Sequence, residues 1–213
     1  YNTSNDYRIG LFLQHPIYWY YNGAVRIFDK KIVLYDAKEG TQLDVIDTSK
    51  VENGHKMAII SCAFLDNDRL VTASIDRSVK VWNLTEKKLL FTLIPAEGNL
   101  KNDFIFCGVQ CNAKKIVAVA LSGIMYAWNV ETLADKKLPD EIWEGHQGPI
   151  NSLVLAKTTK EIVTFDTTGK VLLWNEAGVP KLLLKSDKPI VKMELSCDES
   201  LIYILLNKLY IFI

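Results

Sequence analysis

Ser78–Asn83, which reads SVKVWN, is the stretch that decides the fold. Apolar side chains alternate with polar ones and the run closes on a large aromatic followed by Asn, the period of two that a strand requires. The same string returns as Lys31–Asp36 (KIVLYD), Gly123–Asn129 (GIMYAWN) and Gly169–Asn175 (GKVLLWN). Its closing aromatics, Tyr35, Trp82, Trp128 and Trp174, stand 47, 46 and 46 residues apart. Spacing this even marks a repeated supersecondary unit. A weaker fifth copy, Lys208–Phe212 (KLYIF), puts Phe212 at the aromatic position only 38 residues after Trp174, so the last unit is shorter or incomplete.

Working outward from SVKVWN, apolar runs broken by Asp, Asn and Gly predict four strands: Ile59–Phe64, Leu70–Ser74, Val79–Trp82 and Leu89–Leu93. The turns fall at Asp66–Asp68, Asp76–Ser78 and Thr85–Lys87, where short polar side chains bond their own backbone. One small sheet of this kind cannot bury both of its apolar faces alone. Units of about forty residues must therefore stack radially, with the closing aromatic filling the gap between splayed neighbours. The expected fold is all-β, a β-propeller of four-stranded antiparallel blades with about five blades visible and the ring incomplete. The divisions expected are an irregular first blade over 1–50, a second over 51–95, an irregular third over 96–142, a fourth over 143–180 and a partial fifth over 181–213. Tyr7–Gly23, with His15 and Trp19, fits no blade pattern, and five blades are fewer than a closed ring needs, so a longer parent protein is expected.

Lys plus Arg number 25 and Asp plus Glu also number 25, so no charge excess favours a phosphate backbone or an anionic membrane surface. Neither nucleic acid nor membrane is an expected partner. No apolar stretch approaches the ~20 residues of a spanning helix, and Tyr1–Asp6 is too polar for a secretion signal. Of the four cysteines, Cys62, Cys107, Cys111 and Cys197, three lie in apolar, strand-like runs, and they read as buried free thiols in a reducing compartment; a metal site is set aside because Cys107 and Cys111 lack a second pair at ligand spacing and a nearby histidine.

The units resemble the WD40 family, whose repeats begin near Gly-His, end near Trp-Asp and carry Ser-x-Asp before the tryptophan. One unit matches throughout: Gly54 and His55 open it, Ser74 and Asp76 precede the third strand, and Trp82 with Asn83 closes it. The resemblance implies a buried hydrogen-bond network of His55, Ser74, Asp76 and Trp82. Around Trp174, Gly145 and His146 are present, but Asp166 stands two places early and Thr168 takes the usual Asp position, so a partial network is expected. Around Trp128 there is no Gly-His and Ser122 replaces the Asp. Lys31–Gly178 is also similar to the WD-repeat actin-interacting family that works with cofilin in filament disassembly. That similarity rests on KIVLYDAKEG at Lys31–Gly40, IDRSVKVWNL at Ile75–Leu84, TLIP at Thr92–Pro95, ALSGIMYAWN at Ala120–Asn129, EGHQGPINSL at Glu144–Leu153 and TFDTTGKVLLWN at Thr164–Asn175, in that order. It implies actin and cofilin as partners and a cytoplasmic place on the actin cytoskeleton.

No catalytic, cofactor or metal site is expected. Two of the three histidines occupy blade openings, and the phosphate-loop and HExxH patterns are absent. Most of the aspartates fall where turns are expected, and the pairs Lys87–Lys88, Lys114–Lys115 and Lys136–Lys137 fall at predicted turns or blade exits, where lysine at exposed strand ends discourages edge pairing. Trp143 and the cluster Tyr18–Tyr21 could pack or serve as contact anchors. The function implied is protein binding without catalysis. The alternatives are a general scaffold subunit, as in ribosome assembly or a ubiquitin ligase, and an enzymatic propeller with a centrally bound metal.

Overall fold

A computed structural model describes residues 17–20, 23–36, 38–98, 104–156, 159–188, 190–196, 199, 201–206 and 209–212; of these, the side chains of 17–20, 23, 24, 26, 28 and 209–212 lie outside the description. The described chain forms five antiparallel meanders. The first comprises β1 (Ile17–Tyr20), β2 (Gly23–Phe28), β3 (Lys31–Asp36) and β4 (Gln42–Asp47). In the second are β5 (Ile59–Phe64), β6 (Arg69–Ser74), β7 (Val79–Asn83) and β8 (Lys88–Leu93). The third has β9 (Phe106–Cys111), β10 (Lys115–Ala120), β11 (Met125–Asn129) and β12 (Glu141–Trp143). The fourth has β13 (Ile150–Leu155), β14 (Ile162–Asp166), β15 (Lys170–Trp174) and β16 (Pro180–Lys185), and the three-stranded fifth has β17 (Ile190–Leu195), β18 (Ile202–Leu206) and β19 (Leu209–Phe212).

Successive sheets pack through their innermost strands, β5 on β9, β9 on β13 and β13 on β17. Four apolar cores therefore lie between five sheets. Along β10, Ile116, Ala118 and Ala120 face the second sheet while Val117 and Val119 face the fourth, which is why these strands are apolar on both faces. Each closing tryptophan is turned toward the preceding sheet. Trp82 lies among Val25, Ile27 and Ile46, Trp128 among Val71, Val81 and Leu93, and Trp174 among Val117, Val119 and Met125. Among the described residues the first and fifth sheets do not pack on each other as neighbours do, and the ring is not closed.

The strands depart from the sequence expectations in three places. Tyr18–Tyr20 belongs to β1, the innermost strand of the first sheet, which had no expected pattern because only two residues separate it from β2. The fourth sheet runs on to Lys185, past the division expected at 180, because Pro180 opens the edge strand β16 rather than ending it. A proline lacking its N–H is tolerated as the first residue of an edge strand. Trp143 closes the third sheet, not the fourth. No helix among the described residues is long and apolar enough to cross a membrane.

Candidate functional site

The polar chemistry buried in the described residues is concentrated in the two units that open with Gly-His. In the second sheet His55 lies on the loop entering β5, Asp76 on the turn between β6 and β7, Thr72 on β6 and Trp82 on β7. Gly54 is required at the opening, because a Cβ there would collide with the carbonyl of Thr48. Trp82 Nε1 donates to Thr72 Oγ1 at 2.8 Å, and His55 Nε2 lies 2.8 Å from that hydroxyl. On its other edge His55 Nδ1 lies 2.8 Å from Asp76 Oδ2.

These partners assign the protons. With Nδ1–H donated to the carboxylate, Nε2 accepts from Thr72 and Thr72 accepts from the indole, so the chain runs Trp82→Thr72→His55→Asp76 with every group satisfied. Burial holds His55 below its ordinary 6.5 despite the pull of Asp76. Burial opposes ionisation of Asp76, yet hydrogen bonds from His55, Ser78 and the Lys56 amide outweigh it and hold the carboxyl at about 2. The pair is thus neutral imidazole with carboxylate.

Ser74, grouped with this network by the sequence, stands beside it: its hydroxyl donates to the Ala58 carbonyl at 2.8 Å and accepts from the Asp76 amide at 3.1 Å. Ser74 thereby fixes the turn carrying Asp76. The hub is Thr72, which the sequence reading missed. A signal existed, because a threonine stands ten residues before Trp82 and before Trp174 alike, whereas Ala118 holds that position before Trp128.

The fourth sheet corrects the expectation of a partial network. Trp174 Nε1 donates to Thr164 Oγ1 at 2.7 Å, Thr164 lies 2.6 Å from His146 Nε2, and His146 Nδ1 lies 2.8 Å from Asp166 Oδ2. Asp166 occupies the position of Ser74, and from the end of β14 its carboxylate still reaches the imidazole. Thr168, two residues on, donates to Asp166 Oδ1 at 2.6 Å. Burial lowers His146; burial opposes ionisation of Asp166, but Thr168 and His146 hold that carboxyl low. In the third sheet Trp128 finds no threonine and donates to the Lys137 carbonyl at 3.0 Å.

Of the other blade-closing aromatics, Tyr35 is half-buried on β3, and Phe212 lies on β19 with its side chain outside the described residues, as are His15 and Tyr21. Trp143 is 5% exposed and stacked on Trp174 at 6.1 Å, so it packs rather than projects. Cys107 and Cys111 donate to the carbonyls of Ile150 and Phe64, tying β9 to its neighbouring innermost strands, and burial pushes both thiols up to about 12. Burial also pushes the Cys62 thiol well up. Cys197 lies outside the described residues. Asp66 accepts from the Asp68 and Arg69 amides, as a turn residue does.

The fold is an all-β array of antiparallel meanders, consistent with WD40 propeller blades. Residues 47–83 match the WD40 family, described as "WD domain, G-beta repeat", which covers the second sheet up to Asn83. The chain is similar to a human protein, "Kinesin-like protein KIF21A", at 29% identity over 68% of this chain and 8% of that protein. It is similar to human "Apoptotic protease-activating factor 1" at 25% identity over 57% of this chain and 9% of the relative. With "Cilia- and flagella-associated protein 52" of Chlamydomonas reinhardtii it shares 27% identity over 50% of this chain and 17% of that protein. The chain therefore spans under a fifth of the length of these curated relatives. Among solved structures it is similar in fold to the computationally designed Ika8 protein, with a TM-score of 0.65 at 19% identity, over 88% of this chain and 54% of that one.

Proposed function

We propose that the chain is a non-catalytic platform for protein partners, presented at the end of the array where the loops entering the innermost strands meet the turns between second and third strands. The observation that carries this reading is the commitment of both His–Asp pairs to sealed hydrogen-bond chains. Their imidazoles are fully buried and their partners at most 7% exposed, so these groups hold strands and turns instead of meeting a substrate. The same end offers a partner exposed apolar side chains: Met57 and Ile60 beside and on β5, and Leu121 on the adjacent sheet's turn. Loops held on a rigid scaffold are where binding residues concentrate.

The specific partner we favour is the actin filament together with cofilin, at the actin cytoskeleton in the cytoplasm, supported by the ordered resemblance from Lys31 to Gly178. The variety of the relatives, from a kinesin-like protein to an apoptotic factor, favours a general scaffold as the second reading. Cosedimentation with filamentous actin, with and without cofilin, separates the two. The actin reading expects pelleting and faster disassembly with cofilin; no pelleting and unchanged severing remove it. The double variant Ile60→Asp/Leu121→Asp should abolish pelleting at an unchanged melting temperature, and pelleting that survives moves the contact surface elsewhere.

A further inference from the structure

Beside the outer edge of the second sheet runs a groove of about 770 Å³ that the His–Asp chain borders only through Asp76. Its walls come from the loop before His55, from β7 and β8, and from the long connection between β11 and β12, which contributes Lys137. Four lysines line it, Lys56, Lys80, Lys88 and Lys137, against two acids, Glu52 and Asp76.

Lys80 is the unusual member. It is 5% exposed, and its ammonium has one hydrogen-bond partner in the described structure, Thr92 Oγ1 at 3.1 Å. A lysine ammonium has three donors, and a buried charge without a counterion is costly. Asp76 does not supply that counterion. Its Oδ2 accepts from His55 and the Lys56 amide, its Oδ1 from the Ser78 amide and hydroxyl, and among the described residues no carboxylate lies within ion-pair distance of Lys80. Burial lowers the Lys80 ammonium first; Asp76 raises it, and Lys56 and Lys137 lower it again, which places those two charges within its reach. Neither Lys56 nor Lys137 forms an ion pair among the described residues, while exposed Lys88 pairs with Glu86.

We propose that this groove binds a phosphomonoester carried on a peptide segment of a partner. The surplus of two positive charges along the walls matches the charge of about −1.5 to −2 on a phosphorylated side chain better than the single charge of a carboxylate. Lys80 Nζ spends one of its three donors on Thr92 Oγ1, and both residues line the groove, where an oxyanion can accept from the donors that remain. Leu89 and Leu90 supply apolar wall beyond the charged end, which suits a peptide over a free ion. The site goes beyond the partner-platform reading, because binding of a small phosphate probe stands or falls without any actin or scaffold partner.

The test is a titration of isotope-labelled protein with three probes: inorganic phosphate, a blocked peptide Ala-Ala-phosphoserine-Ala-Ala, and the same peptide with aspartate in place of phosphoserine. The expected result is saturable amide shifts at Lys80 and Thr92, with the phosphopeptide at least about tenfold tighter than either other probe, and weakening as salt is raised. Lys80→Met should lose at least about tenfold in phosphopeptide affinity. Lys137→Gln, at an exposed side chain whose carbonyl alone is structural, should weaken binding at an unchanged melting temperature and guards against a folding defect in the first variant. Absence of shifts at millimolar phosphopeptide, unchanged affinity in both variants, or equal affinity for the aspartate peptide would each overturn the proposal. Free phosphate binding as tightly as the phosphopeptide would overturn its peptide source.

Discussion

Thr72→Val is the sharpest test of the hydrogen-bond chain, because it deletes one hydroxyl oxygen and replaces it with a methyl of similar size. Thr72 is fully buried, and its Oγ1 serves Trp82 Nε1 and His55 Nε2, each at 2.8 Å. After the change, the Trp82 N–H and a His55 ring nitrogen, both in buried side chains, lose their partner. Each orphaned polar group costs about 1–3 kcal/mol, so the expected loss is about 2–5 kcal/mol, with some non-additivity between neighbours. For a chain of this size that corresponds to a fall in Tm of about 5–15 °C. Urea denaturation followed by tryptophan fluorescence measures the loss directly, and Ala118→Ser at the matching site of the third sheet serves as control. Trp128 already has its partner in Lys137, so the control should gain nothing from a new hydroxyl. A loss in Thr72→Val below about 0.5 kcal/mol would refute the chain as drawn, since surface changes alone reach that size.

Three further outcomes follow from the same geometry. Asp166→Asn should destabilise by about 1–3 kcal/mol in equilibrium unfolding, since the amide's NH2 can face His146 Nδ1–H with a donor where an acceptor is needed; a neutral result would mean the displaced Asp is not the imidazole's partner. Gly178→Ala should cost at least about 2 kcal/mol, because the residue has φ of 73° and a new Cβ would overlap the Trp143 indole; thermal unfolding of the variant at the wild-type temperature would contradict that contact. Acidification should lower Tm in two stages. Both imidazoles titrate in the fold below their ordinary 6.5, so the unfolded chain takes up protons first and stability drops as pH falls through about 6.5; Asp76, at about 2 against 3.8, adds a second loss below about 3.8. A Tm that stays level between about pH 7 and pH 5 would speak against neutral histidines.

The second sheet was legible almost to the residue, because its apolar runs are bounded by Asp66–Asp68, Asp76–Ser78 and Thr85–Lys87; Asp66 and Asp76 bond their own turns' backbone, while at the third turn Asn83 of β7 accepts from the Glu86 amide and Thr85 bonds Asp68 instead. The tryptophan spacing was legible for a packing reason, since each ring fills one gap between sheets and the gaps recur with the sheets. Thr72 and Thr164 were not, because a β-branched residue within a strand already fits by propensity and its hydroxyl leaves no further mark. Asp166 was discounted for a positional rule that the side chain does not obey. Its carboxylate needs only to end near the imidazole, and a shift of two residues keeps it on the same face of the strand at the mouth of the turn. The turn backbone absorbs the rest: the residue five before each tryptophan is left-handed in all three sheets, as Arg77, Gly123 and Gly169 with φ of 69°, 83° and 80°.

The third sheet shows what replaces the network when its hub is missing. With Ala118 in place of threonine, Trp128 turns its indole outward to the Lys137 carbonyl, which also accepts from the Ile94 amide at 3.1 Å. One carbonyl thus receives a donor from the tryptophan of its own sheet and another from the exit of the second sheet. The substitution of an alanine for a threonine therefore converts the tryptophan from an anchor within a sheet into an anchor for the connection between β11 and β12. The backbone of Lys137 does the anchoring, while its side chain lines the groove with Lys80 and forms no ion pair among the described residues. The irregularity that sets this unit apart from the repeat is thus the same feature that places Lys137 on the wall of the proposed phosphate site.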